Sequence, residues 1–262
     1  MTFQERRELW FCYIWKMKNI QVLHLGTLRV NAFEMIMGVP EERIREQYTI
    51  DKNNQMRIGM NGLIVETGDR VIFFDPGCAT FLSKSLAETY DLVMDQPLTA
   101  IVAEAGYRPE AITDVVFTHL HFDHGSGAFL RIPGGIVKAF PNARYFVSRK
   151  QLEAIDKMPE SERSSFFHKL LRFAGELSYL EALQAEGVRF FVSHGHTDHM
   201  FVPIIDAGGR DVVFATDLLP MKIFMEPMAY SYYDAAAALL ETEREQLFSM
   251  LGPDPEIIWY HE

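Results

Sequence analysis

The sequence predicts an α/β chain in which two mixed β-sheets pack face to face with helices outside. Three observations carry that expectation. Short apolar runs bounded by Gly, Pro and Asp recur along the chain, and such runs read as strands. Charged or Ala-rich stretches of helical pattern fall among them. The order of strands first and a helix later occurs in both halves, and two stacked sheets would bury the apolar runs of each. The chain has 262 residues, 48% hydrophobic and 23% charged. That suffices for one domain with a sizeable core.

Taken in order, the elements begin with an extension. Trp10-Phe11-Cys12-Tyr13-Ile14-Trp15 is apolar but far too short to span a membrane. Glu5, Arg6, Arg7 and Glu8 precede it, and no small-residue cleavage site follows. Met17-Lys18-Asn19-Ile20 reads as an alternative start, so residues 1–16 are expected outside the core. Residues 17–262 are expected as a single domain, since no Gly/Ser-rich linker divides them. Residues 20–30 read as a strand and 31–60 as irregular. Residues 61–67 and 71–74 read as two strands joined at Gly68-Asp69, the second stopping at Asp75-Pro76-Gly77. Residues 79–105 look helical, broken near Pro97. Residues 112–118 form a short β-rich run, and Gly125-Ser126-Gly127 soon after lets the backbone turn tightly. Residues 143–147 read as a strand. Residues 149–183 look mostly helical and are a candidate cap. Strands are expected at 188–192, 200–205 and 212–215, a helix at 235–251 and a final strand at 257–260.

The formal net charge of −11 makes nucleic acid a poor partner. Cys12 and Cys78 lie in no metal-binding or redox spacing, which fits reduced thiols and a cytoplasmic location. No membrane association is expected. A small-molecule substrate is, and the apolar extension leaves a homodimer open.

The residues that carry chemistry stand after strands. His119-Leu120-His121-Phe122-Asp123-His124 directly follows the 112–118 run. Imidazole nitrogen and carboxylate oxygen are good ligands for zinc and similar ions. Alternate side chains of an extended segment share a face. His119 and His121 can therefore grip one ion while Asp123 or His124 turns toward another. Without an ion these buried polar groups would be costly to leave unpaired. The placement recurs later. Ser193-His194-Gly195-His196-Thr197-Asp198-His199 follows the 188–192 run, Asp217 follows 212–216, and His261 follows 257–260. Strand ends at one sheet edge converge in space.

This pattern resembles the metallo-β-lactamase superfamily hydrolases over roughly residues 20–262. The family's HxHxDH motif is intact at 119–124. Its aspartate after an early strand matches Asp75, its Gly-His-Thr histidine His196, its later aspartate Asp217 and its last-strand histidine His261. Leu25-Gly26 and the long segment before Asn61 look most like the branch containing N-acyl-homoserine lactonases and methyl parathion hydrolase. The resemblance implies an αββα sandwich with the site along one edge of the sheets. It implies that His119, His121 and His196 hold one ion, that Asp123, His124 and His261 hold a second, and that Asp217 bridges them. Asp75 would orient the His loop from behind. His194, Asp198 and His199 stand where the family usually has other residues, and His199 is expected behind a ligand or facing substrate.

Two divalent ions, zinc foremost with manganese, iron or cobalt compatible, would lower the pKa of a shared water from about 15.7 toward about 7. The resulting bridging hydroxide would open a lactone or cleave a carboxylic ester with no Ser or Cys nucleophile. Asp123 would orient it and shuttle a proton. Met221, Phe224, Met225, Met228, Tyr230, Tyr232 and Tyr233, with Phe166, Phe167 and Phe173, are candidate walls for a substrate with a hydrophobic part. Phosphotriester or phosphodiester hydrolysis on the same dinuclear site is the alternative. A mononuclear iron sulfur dioxygenase or a binding protein would keep fewer ligands.

Overall fold

Alternation shapes the first long strands. In β2 (Ile20–Asn31) Leu23, Leu25, Leu28 and Val30 are buried while Arg29 faces solvent, the period of a sheet with one covered face. The structure is a computed structural model and describes residues 15–17 and 19–262. β1 (Trp15–Met17) pairs antiparallel with β2. Trp15 and Lys16 of the expected extension thus belong to the sheet, while residues 1–14 lie outside the described residues.

The remaining strands are β3 (Gln55–Thr67), β4 (Arg70–Phe74), β5 (Asp114–Val116), β6 (Phe129–Ile132), β7 (Gly135–Lys138), β8 (Arg144–Val147), β9 (Leu177–Tyr179), β10 (Val188–Ser193), β11 (Met200–Asp206), β12 (Asp211–Phe214) and β13 (Glu256–Ile258). One sheet has seven strands in the order β1-β2-β3-β4-β5-β8-β9 and the other four in the order β10-β11-β12-β13. Phe74 of β4 packs 6.5 Å from both Phe190 of β10 and Phe214 of β12, so the two sheets share one core. Helix Leu98–Glu104 covers β2 through Ile101 and Val102, and helix Leu240–Ser249 covers β10 through Leu240 and Leu247. This is the expected sandwich of two mixed sheets with flanking helices. Among the described residues no helix is long and apolar enough to cross a membrane.

Strand direction explains why the site gathers at one edge. β4 and β5 are parallel, as are β12 and β13. β10 and β12 each pair antiparallel with β11, so they also run the same way. The segments after β5, β10, β12 and β13 therefore leave the sandwich together. Phe201 N–H donates to Thr118 carbonyl at 2.9 Å, and Asn61 N–H to Tyr260 carbonyl at 3.0 Å, sewing the sheets along that edge.

Several expectations are corrected. Residues 31–60 are not irregular: they hold helices Ala32–Met35 and Glu41–Gln47 and the first half of β3. Asn31 caps the first helix by accepting from Phe33 and Glu34 N–H, a local signal that went unread. The 149–183 stretch is helical only over Arg149–Lys157. Beyond Pro159 it becomes three short 3-10 segments and the edge strand β9, because Pro removes a donor and Gly175 adopts a φ of 78°. The hairpin β6–β7 was not foreseen. Gly125 and Gly127 serve close packing rather than unusual torsions. A Cβ on Gly125 would lie 2.4 Å from the Phe167 ring, and one on Gly127 2.2 Å from Pro76 carbonyl. Cys78 is a buried free thiol, and Cys12 lies outside the described residues.

One buried ion cluster pins the far edge of the main sheet. Asp114 is fully buried at the start of β5 and accepts from Arg70 Nε at 2.8 Å, Arg144 Nε at 2.9 Å and Thr113 Oγ1 at 2.7 Å. Burial pushes this carboxyl up, but the Arg70 and Thr113 hydrogen bonds and the two guanidinium charges hold it below the usual range. A depressed carboxylate contributes stability above its unfolded pKa and loses it as pH falls through the folded one. Asp114→Asn is therefore expected to cost about 3 kcal/mol at pH 7. Urea unfolding over a pH series should show that gap constant above pH of about 4 and closing below it.

Candidate metal centre

Two donor clusters meet at Asp217. In the first, His196 Nε2 lies 2.9 Å from His121 Nδ1 and 3.0 Å from Asp217 Oδ2, while His119 Nε2 lies 3.1 Å from His121 Nδ1 and 3.7 Å from Asp217 Oδ2. In the second, His124 Nε2 lies 3.3 Å and His261 Nε2 3.5 Å from Asp217 Oδ1, and both approach Asp123 Oδ2, at 3.9 and 3.6 Å. The structure thus brings all seven expected ligand residues together around Asp217.

The backbone aims them. His119 lies in a bend just past the end of β5, His121 is extended, and Asp123 and His124 lie on the short helix Phe122–Gly125. Asp217 follows Thr216, whose φ of 48° is strained for a β-branched residue. His261 is held by its backbone N–H on Pro220 carbonyl at 2.8 Å and by Gly59 N–H on its own carbonyl at 3.1 Å.

Most of the imidazoles are anchored through the nitrogen that faces away. His124 Nδ1 meets Asp75 Oδ2 at 3.0 Å, His196 Nδ1 meets Asp234 Oδ1 at 2.8 Å, and His261 Nδ1 meets Gly59 carbonyl at 2.7 Å. His119 Nδ1 lies 3.2 Å from Thr118 Oγ1. Each acceptor fixes a proton on Nδ1 and leaves the Nε2 lone pair facing inward. Asp75, fully buried, also accepts from Thr118 N–H at 2.8 Å and Thr118 Oγ1–H at 2.6 Å. Tyr260 stacks on His124 with centroids 3.8 Å apart and donates to Asp123 carbonyl at 2.6 Å.

These residues fit a pair of divalent cations. Nitrogen and oxygen atoms facing one another at 2.9–3.7 Å need a proton or a cation between them, and bonds of about 2.1 Å in a tetrahedron set ligands roughly 3.4 Å apart. His124 Nε2 and Asp217 Oδ1 are buried atoms with no hydrogen-bond partner, an expensive arrangement for a protein alone. Burial, then the neighbouring imidazoles, push His119 and His121 well below the usual range and keep them neutral. Burial opposes charge on Asp217 too, but His124, His196 and His261 hold its carboxyl well below the usual range. Burial also disfavours a charged His196, yet Asp217 and Asp234 raise it to about 10. The buried His/Asp clusters are consistent with a dinuclear metal site.

Asp234 escaped the sequence reading. It sits in a Tyr/Ala-rich stretch with no pattern around it, and only the fold brings it to His196. Its Oδ2 accepts from Ser231 N–H at 2.6 Å. Asp234→Asn keeps that shape but can offer an N–H to His196 Nδ1, which favours the wrong tautomer. Cation affinity is expected to fall 10–100-fold with little change in melting temperature, as read by competition with a chromogenic chelator. His199, by contrast, contacts Asp198 and His194 rather than a ligand candidate. The place behind a ligand expected for it is filled by Asp234.

The candidate walls also sort themselves. Met221 and Phe224 are core residues, and Met225, Met228 and Tyr232 are exposed. Phe166 lies 4.6 Å from the His121 ring, and Phe167 packs on Phe117. Of the aromatic and Met candidates, Tyr233 lines the cavity that opens onto the donors.

A sequence model of the metallo-beta-lactamase superfamily matches residues 59–260. No curated protein sequence matches the chain. Among solved structures, a probable metal-dependent hydrolase from Staphylococcus aureus superposes with a TM-score of 0.82 at 21% identity, over 94% of this chain and 90% of that one. AidC, a dizinc quorum-quenching lactonase in complex with its product, superposes with a TM-score of 0.73 at 17% identity, over 95% and 90%. The hydrolase AbOPH does so at 0.70 and 20% identity, over 95% and 89%. At these identities the likeness is one of fold.

Proposed function

The chain belongs to the metallo-β-lactamase superfamily, and from that premise we propose that it is a metal-dependent hydrolase opening a lactone or cleaving a carboxylic ester with a hydrophobic part. The observation that carries the reading is the cavity beside the donors. It is about 140 Å³. Leu28, Val30, Met35, Ile58, Phe122 and Pro220 form its apolar wall, and His121, Asp123, His196, Asp217 and His261 form its floor. Among the described residues no Lys or Arg lines it, so a polyanionic phosphodiester finds no counter-charge in them. A lactone or ester is neutral and needs none.

When bound, two divalent cations would supply a Lewis acid for the scissile carbonyl and acidify a water. His119, His121 and His196 would hold one, Asp123, His124 and His261 the other, and Asp217 both. Asp123 stands where floor meets cavity, and its carboxylate would orient the attacking water and carry a proton toward the leaving oxygen. Tyr90 and Tyr233 also line the cavity. Burial, then Asp123, raises the Tyr90 phenol, and burial, then Tyr90 and Glu34, raises that of Tyr233 to about 12. Both therefore stay protonated at neutral pH and able to donate to a substrate oxygen. Apolar side chains around the floor exclude bulk water.

The test is a panel of acyl lactones, aryl esters, phosphotriesters and bis-aryl phosphodiesters, with metal content measured on the same sample. Turnover is expected for lactones or esters, lost on chelation and restored by zinc. Turnover confined to phosphoesters, activity that survives chelation, or a single iron per chain would each displace the reading.

A further inference from the structure

The loop joining β10 to β11 carries three more donors that the buried centre does not use. His194 Nδ1 lies 2.5 Å from Asp198 Oδ1, and His199 Nδ1 lies 3.0 Å from the same oxygen. The three donor atoms fall within 4.8 Å of one another. Their side chains are 41%, 48% and 23% exposed, so a cation can arrive from solvent. His199 Nδ1 is within ion-pair distance of Asp198 yet lacks a well-formed hydrogen bond.

The backbone beneath is fixed on both sides. Glu243 accepts from Ser193 Oγ at 2.7 Å, His194 N–H at 2.8 Å and Gly195 N–H at 3.1 Å. Gln151 Nε2 donates to Asp198 carbonyl at 3.1 Å. Met200, next after His199, is fully buried at the start of β11. The donors thus stand on a rigid base, and ordering them costs little.

We propose that His194, Asp198 and His199 form a third, solvent-facing site for a zinc-class divalent cation. Two imidazoles and one carboxylate match zinc's preferred ligands and leave a position for water. Bonds of about 2.0–2.2 Å set donors roughly 3.4 Å apart, so His194 Nδ1 must part from Asp198 Oδ1 by about 0.9 Å and His199 Nδ1 by about 0.4 Å, within reach of side-chain rotation. Each imidazole need only carry its proton on Nε2. The same loop presents His196, so an ion here would brace the segment that supplies a ligand to the buried centre.

The experiment is equilibrium dialysis of the zinc-loaded chain against rising free zinc, with bound zinc counted per chain. The unaltered chain is expected to take up one zinc beyond those of the buried centre. His194→Ala/His199→Ala and, separately, Asp198→Asn are expected to lose that one and keep the others. An unaltered chain that binds nothing beyond the buried centre overturns the proposal, as does equal uptake by both variants. The dinuclear reading fails separately. If the buried centre were empty, the count would drop from one to zero across these variants, not from three to two.

Discussion

Asp217→Asn is expected to lower kcat/KM by about a thousandfold, roughly 4 kcal/mol of barrier, and to leave one firmly held cation per chain in place of two. Among the described residues Asp217 alone turns its two oxygens to both donor clusters, Oδ2 toward His196 and Oδ1 toward His124 and His261. An amide of the same shape removes the negative charge that lets two dications sit close together, and its NH2 turns a donor toward one of them. Kinetics on the best substrate, with metal content on the same preparation, reads both effects. A variant with two cations and an unchanged rate would end the bridging assignment. A purely structural role would lower stability without splitting the metal count.

Asp75 carries the second large effect. Its carboxylate is fully buried and holds Thr118 twice and His124 once. Asp75→Ala leaves Thr118 N–H and His124 Nδ1 without acceptors and is expected to cost about 4 kcal/mol, at about 1–3 kcal/mol for each abandoned group. Asp75→Asn keeps a side chain that tolerates the φ of 46° here and one acceptor for Thr118, so about 2 kcal/mol is expected. Both should weaken cation binding 10–100-fold, because His124 loses the partner that fixes its tautomer. Urea unfolding of the metal-free chain measures the first effect and chelator competition the second. Unchanged stability in both variants would reduce Asp75 to a turn residue before Pro76.

The sequence spoke clearly where neighbours along the chain cause the structure. Apolar runs marked most strands of both sheets, and the residues after β5, β10, β12 and β13 announced themselves by chemistry that an apolar run does not need. Silence fell where partners are remote. Asp234 reaches His196 across 38 positions, Glu243 fastens the 193–195 backbone across about 50, and a carbonyl as anonymous as Gly59's orients His261. No local pattern encodes such pairs. The same holds for walls and core. Phe224 and Tyr233 look alike in sequence, yet packing buries one and leaves the other beside the donors. The 149–183 stretch read as mostly helical, and no local pattern encodes what replaces the helix beyond Pro159.

The seven donors are drawn from both sheets, with His119, His121, Asp123 and His124 beyond a strand of the larger one and His196, Asp217 and His261 beyond strands of the smaller. A filled centre is therefore a rivet through the sandwich. Folding and ion capture become one equilibrium, in which tighter binding raises the heat needed to part the layers. Stripping the ions should then soften the molecule as a whole, far from the mouth as well as at it.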